Sequence, residues 1–393
     1  ANILFLVDSS ASMGRWIGGD GIGPIAGVTY DSQNRILLTQ YSRRTAGAVI
    51  RYALNNAGNA TVRDTSFRPI RQVPRNGCTQ FNDGGRHNGQ RLRRAGHIEF
   101  VQDLNSVSFN ESVILLHSGE RRTGNYIFGY SEDGRRCLIA LRAPNNMSVR
   151  SFDVKTIGGT PFLFSAGGAR RNQGFFMSCN LETFVCNEQI INDSRNVVRW
   201  VNRFSVNNEG TLAYFANSLT NNLEGYSLTR SGDAFTLGTR QRNCAPVNAP
   251  TLTSELAIPF GVEVSPSDSS IIYTSSVFSH AIQKIQVSDT ACTVVTAVGS
   301  GLRTNTSNEG TANAYDANLV GFNSPHALYV QETDTRSRVL TGTARGYVDE
   351  FDEALFTSVN RNTTWLDQVG GPRIRRWDGV KSAINAIVND KTL

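Results

Sequence analysis

Hydrophobic positions in this chain come in short runs. Segments rich in β-branched and aromatic residues alternate with Gly, Asn, Asp and Ser along nearly the whole sequence. This is the pattern of strands joined by tight turns. Helical periodicity is scarce. The one stretch that reads either as a strand or as a short amphipathic helix is Gly379–Val388.

The runs repeat. Pro24–Tyr30, Arg35–Ser42 and Ala48–Leu54 form one unit of strand, polar turn, strand, loop, strand. Pro259–Val264, Ser270–Ser276 and Ala281–Val287 form another, and Pro325–Val330, Arg338–Thr343 and Gly346–Phe351 a third. A weaker copy runs through Arg203–Val206, Gly210–Ala216 and Leu223–Leu228, and two diverged units cover His97–Gly134 and Cys137–Ile191. One small antiparallel sheet cannot bury both of its faces, whereas sheets stacked radially bury them against each other. The count of six or seven units predicts an all-β chain, a single β-propeller of six or seven blades over residues 1–393 with long loops. Strands from the N-terminus (Asn2–Asp8, Gly14–Ile17) and a C-terminal segment, 361–393, are expected to close the ring. Residues 60–95 do not fit the repeat and read as a basic inter-blade insertion.

The segments Ala297-Val-Gly-Ser-Gly301, Glu309-Gly-Thr-Ala312 and Phe322-Asn-Ser-Pro-His-Ala-Leu-Tyr-Val330 resemble an NHL repeat. Ala327 stands where that family usually has Gly. The resemblance implies a six-bladed propeller. Residues 5–14, Phe5-Leu-Val-Asp-Ser-Ser-Ala-Ser-Met-Gly14, resemble the metal site of von Willebrand A domains, with Asp8, Ser10 and Ser12 as hard oxygen ligands. That family continues into a long helix, which Arg15-Trp-Ile-Gly-Gly-Asp-Gly-Ile-Gly23 cannot form. The motif is therefore a decoy, a strand ending in a polar turn.

Two residues are candidates for channel chemistry. Pro325-His326 resembles the inner-strand Pro-His of amidating lyases that gather several His around a metal. Here the corresponding strands carry Ala26 and Phe260, and one imidazole does not make a zinc site. Glu263, two residues after Gly261 on an inner strand, resembles the channel Glu of gluconolactonase-like and strictosidine-synthase-like propellers, with Asp8, Asp153 and Asp349 as candidate company that no spacing ties to it. These resemblances define an alternative function, a lyase- or lactonase-type enzyme with Ca or Zn in the central channel. His87, His97, His117 and His280 are expected in loops or on other strands. The preferred expectation is a non-enzymatic module with no catalytic residue and no cofactor.

Composition sharpens the setting. The net charge is +6, and Lys occurs only at Lys155, Lys284, Lys381 and Lys391, so the positive charge is almost all Arg. Arg63, Arg68, Arg71, Arg75, Arg86, Arg91, Arg93 and Arg94 crowd the insertion against Asp64 and Asp83. Guanidinium forks suit sulfated or phosphorylated glycans or an acidic protein neighbour, and Arg86, Arg91, Arg93 and Arg94 are the candidate contacts. With only Phe67 and Phe81 nearby, base stacking is poorly supplied and nucleic acid is not expected. No apolar run is long enough to span a membrane.

Six Cys and a start that is not Met favour a secreted, extracellular or cell-surface protein. Cys179 and Cys186 flank a short segment that reads as a disulfide-stapled hairpin. Cys78, Cys137, Cys244 and Cys292 allow three pairings. Sequons at Asn59, Asn110, Asn146, Asn192, Asn305 and Asn362 are candidate glycosylation sites. Long loops on a rigid propeller suit heterologous contacts between copies, so a protein partner and self-assembly into a surface filament are expected.

Overall fold

In a computed structural model of the protein, the structure describes residues 25–40, 49–54, 61–81, 89, 92, 95–118, 125–168, 173–192, 201–217, 222–244, 259–277, 280–288, 292–298, 325–332, 337–343, 348–352 and 365–369. These fold into six sheets, five wholly antiparallel and one with an added parallel strand, arranged as a β-propeller. The first blade holds β1 (Ile25–Tyr30), β2 (Ile36–Gln40), β3 (Val49–Leu54) and β4 (Thr61–Arg63). The second holds β5 (Gln80–Phe81), β6 (Ala95–Asn105), β7 (Asn110–Ser118), β8 (Tyr126–Ser131) and β9 (Cys137–Arg142). The third runs through β10 (Ser148–Ile157), β11 (Thr160–Gly168), β12 (Gly174–Asn180) and β13 (Cys186–Ile191). The fourth has β14 (Val201–Val206), β15 (Leu212–Asn217), β16 (Asn222–Ser231) and β17 (Ala234–Cys244). The fifth has β18 (Pro259–Val264), β19 (Ile271–Ser276), β20 (Ala281–Val287) and β21 (Cys292–Val298). The sixth has β22 (Pro325–Glu332), β23 (Ser337–Thr343), β24 (Val348–Asp352) and β25 (Trp365–Val369).

Each blade is a simple meander from an inner to an outer strand. The second adds β5, which pairs parallel to β9 at the outer edge. The inner strands β1, β6, β10, β14, β18 and β22 pack side by side in that order, and β22 returns to β1 to close the ring. The terminal strands expected within 1–24 and 370–393 lie outside the described residues.

The polar turns of the repeat have a shared cause. Asp31 Oδ1 accepts from the N–H groups of Gln33 (3.0 Å) and Arg35 (2.9 Å) between β1 and β2. Asn207 Oδ1 accepts from Thr211 and Leu212 (both 2.8 Å) between β14 and β15, and Asp268 Oδ1 from Ser270 (2.9 Å) between β18 and β19. Short polar side chains that bond their own backbone fix such turns.

The core lies between blades. Phe162, Phe164 and Phe176 of the third blade pack with Phe204, Phe215 and Phe235 of the fourth. Ile25, Val28 and Leu38 of the first pack with Ala327 and Leu340 of the sixth, so the closing seam is apolar too. At the seam of the first and second blades a Cβ on Gly27 would stand 2.7 Å from Ile98 N and 2.8 Å from Gly96 O. The backbones meet there with no room for a side chain.

Two expected boundaries are corrected. Cys137–Arg142 is the fourth strand of the second blade's meander, and the third blade begins at Ser148. Residues 61–63 of the expected insertion complete the first blade. Phe67, Ile70, Val73, Cys78 and Leu92, from the same segment, are buried in the cluster shared by the first two blades. Alternation alone does not reveal these apolar residues as core, because arginines separate them.

Three disulfides are present: Cys78–Cys137, Cys179–Cys186 and Cys244–Cys292. The first ties the insertion to β9, the second joins paired residues of β12 and β13, and the third links β17 to β21, the outer strands of neighbouring blades. Among the described residues, no helix is long and apolar enough to cross a membrane.

Candidate functional site

All six inner strands share one irregularity. The pairing to the second strand slips just after Ile25, Ala95, Val149, Val201, Pro259 and Pro325. This slip is a β-bulge, and it aligns the strands. Two residues beyond it come Gly27, His97, Ser151, Arg203, Gly261 and Ala327. Four residues beyond it come Thr29, Glu99, Asp153, Ser205, Glu263 and Tyr329. Between the two rings sit the apolar Val28, Ile98, Phe152, Phe204, Val262 and Leu328. A strand alternates its faces, so the two rings share one face of the inner strands, the first polar at His97, Ser151 and Arg203 and the second polar throughout.

The second ring staples one blade to the next. Glu99 Oε2 accepts from Val154 N at 2.8 Å, Asp153 Oδ2 from Val206 N at 2.6 Å, and Ser205 Oγ from Val264 N at 3.1 Å. Each bond runs from one inner strand to the next in the same direction. Ser205 Oγ also donates to Asp153 Oδ2 at 3.3 Å.

Two cations enter the ring. Lys155 Nζ is 3.3 Å from Glu263 Oε1 and 4.0 Å from Asp153 Oδ1. Arg203 is 3% exposed; it donates to His97 Nδ1 and to Leu328 O (3.3 Å). A guanidinium has no lone pair to offer. His97 Nδ1 is therefore the acceptor, its Nε2 carries the proton, and that proton points to Glu99 Oε1 at 2.5 Å. His117 Nδ1 accepts from His97 N at 3.1 Å and is fixed in the neutral form as well.

Burial dominates the electrostatics. It pushes Asp153 up to about 7 against the pull of Lys155. Burial, then the charges of Asp153 and Glu263, hold Glu99 well above the carboxylate range. Burial and the neighbouring Arg203 press His97 well below its ordinary value and His117 down to about 3. Burial opposes the charge of Lys155, but Asp153, Glu263 and Glu99 outweigh it and raise its pKa.

The sequence candidates are placed as follows. Glu263 is in the belt. His326, half-buried one residue after the bulge, packs edge-on against Phe260 with centroids 4.7 Å apart. Asp153 joins Glu263 through Lys155, while Asp8 lies outside the described residues and the side chain of Asp349 is not described. His97, expected off the channel, is in it. The signal that finds it is the polar–apolar–polar triplet of the inner strand: His97-Ile-Glu99, Ser151-Phe-Asp153, Arg203-Phe-Ser205. Among the described residues, no three His, Cys, Asp or Glu side chains are arranged to hold a metal. Arg86, Arg91, Arg93 and Arg94 lie outside the described residues, as do Asn59, Asn305 and Asn362. Asn110, Asn146 and Asn192 are exposed.

The chain matches no protein-family profile and no curated protein. Among solved structures it is similar to a candidate 6-phosphogluconolactonase from Bacteroides uniformis (9% identity, 87% of this chain and 83% of that one, TM-score 0.46). It is also similar to a chain of a nidogen/laminin complex (14% identity, 68% and 77% coverage, TM-score 0.42). A third is KlHsv2 with its loop 6CD replaced by a Gly-Ser linker (10% identity, 90% and 99% coverage, TM-score 0.40). The propeller itself rests on the strand pairing of this chain.

Proposed function

We propose that the chain is an extracellular, non-enzymatic binding or structural propeller, a subunit of a glycosylated surface assembly made of copies of itself. The observation that carries this reading is the engagement of the channel belt. Glu99 and Asp153 bond the next blade's backbone, and Glu263 is paired to Lys155. A catalytic carboxylate must be free to meet a substrate proton or a metal. These hold the ring shut instead. Recognition then falls to the rim and to the outer loops. Three disulfides and exposed sequons at Asn110, Asn146 and Asn192 fit an oxidising, glycosylating compartment.

The convergence of Glu99, Asp153, Glu263 and His97 favours the second reading, a metal-dependent channel enzyme. The donor set does not suit a divalent ion. The ammonium of Lys155 already stands beside Glu263 and Asp153, and His97 Nδ1 is taken by Arg203.

The test is native particle size, by sedimentation and negative-stain imaging of material from its source, with and without EDTA. The expected result is a regular polymer indifferent to the chelator. A monodisperse particle of about the 43.0 kDa chain mass with stoichiometric Ca or Zn would overturn the reading.

A further inference from the structure

We infer that the seam between the insertion and the second blade is a binding site for an anionic saccharide, a sugar bearing sulfate or carboxylate groups. The inference rests on the binding-module reading and names a ligand class for it. A cavity of about 610 Å³ opens between residues 68–74 and the β8–β9 turn. That volume is ordinary for a small-molecule site. Arg68, Arg71 and Arg135 line it, and no carboxylate does. Arg135 lies 3.8 Å from Asp133, both of them exposed. Of the described residues, none pairs a carboxylate with Arg68 or Arg71. Two guanidinium forks with no carboxylate partner among the described residues, beside a third shared with an exposed Asp133, call for an oxyanion with several acceptor oxygens.

The rest of the lining distinguishes a sugar from a bare ion. The half-buried Pro69 and Pro74 supply apolar surface beside the arginines. A sulfated or uronic sugar carries C–H faces and anionic groups on one ring, matching that mixture. An acidic peptide would need an extended groove or a free strand edge, whereas this site is a half-open hollow between a loop and a turn.

The walls are preset. The Cys78–Cys137 disulfide ties the insertion to β9. Tyr130 donates its hydroxyl to Gln72 O at 3.3 Å across the floor. Gly134, at φ +74°, lets the turn lie so close that a Cβ would be 2.9 Å from Arg68 O. A site already rigid loses little on binding.

The test uses the full chain with five probes: a sulfated hexasaccharide, a uronate hexasaccharide, a neutral hexasaccharide, inorganic sulfate and an acidic hexapeptide. Binding is followed by calorimetry at two salt concentrations. The expected result is binding of the sulfated or uronate probe, whichever source supplies the anion, with no binding of the neutral one. Affinity should fall about tenfold or more in each of Arg68→Ala, Arg71→Ala and Arg135→Ala. Arg→Gln at the same positions keeps the stem and should lose as much. Unchanged particle size and melting temperature certify the fold of these exposed variants.

The proposal is overturned if those variants bind as the parent does. It is also overturned if the peptide binds more tightly than both charged saccharides, if sulfate alone binds, or if only Arg86, Arg91, Arg93 and Arg94 replaced together abolish binding. A polymer that binds no saccharide would refute this site and leave the module reading standing.

Discussion

Lys155 Nζ, rooted in the third blade, lies 3.3 Å from Glu263 Oε1 of the fifth. One side chain thus reaches past the intervening blade and neutralises a carboxylate across the channel. Removing one partner of a buried pair leaves an uncompensated charge and typically costs about 3–5 kcal/mol. Lys155→Met should therefore lower stability by an amount in that range in denaturant unfolding. Adding Glu263→Gln to it should restore part of the loss, and a double-mutant cycle reads the coupling. Strictly additive losses would show that the pair is not coupled.

The raised pKa of Asp153 fixes the sign of a pH effect. Its folded value of about 7 lies above the ordinary 3.8, so the folded state holds the proton through a window in which the unfolded chain has released it. This contribution to stability is complete below pH 3.8 and is lost as pH rises through 7. Asp153→Asn keeps an acceptor for Val206 N and cannot ionise. The variant should gain on the parent steadily from pH 4 to pH 7 and no further above that. A difference that is flat with pH would contradict the raised pKa of Asp153.

His117 works in the opposite sense. Its pKa is pressed to about 3 from 6.5 by burial and by Arg203, so the unfolded chain takes up a proton that the folded one refuses. Stability held above pH 6.5 is lost as pH falls towards 3. His117→Gln should lose its disadvantage relative to the parent as the pH is lowered through that range. Imidazole resonances that stay neutral from pH 7 to pH 5 would be the direct sign. A His117 that titrates near 6.5 would contradict the arrangement.

The disulfides should differ in worth. Cys179–Cys186 spans 7 residues, whereas Cys244–Cys292 spans 48. Loop-closure entropy gives about 2.4 kcal/mol for the short loop and about 4 for the long one. Replacing Cys244 and Cys292 by Ser should therefore lower the melting temperature more than replacing Cys179 and Cys186. The reverse order would mean that the outer edges of the fourth and fifth blades are held together without their bond.

The blades were legible because each strand writes its own alternation and each turn its own Asp or Asn, as at Asp31 and Asp268. The belt was harder to read. Lys155, Arg203 and His97 lie on three different inner strands and meet only when the ring closes, so no local spacing joins them. Glu263 was found through its place on an inner strand, but its partner Lys155 lies 108 residues away in sequence. The seam cavity was hidden for a related reason. Its arginines stood out as a basic run, yet Arg135 comes from a turn that the sequence repeat leaves between two units, far from that run.

The shared slip in the six inner strands has a consequence for how the repeat is to be recognised. The residues on either side of it are unlike from blade to blade: Ile25 and Gly27 in one, Val201 and Arg203 in another. What the copies hold in common is a misstep of the backbone, at one place, in every one. The side chains around the slip differ while its place in the strand does not, so a comparison by residue type overlooks a repeat that a comparison by hydrogen-bond phase detects.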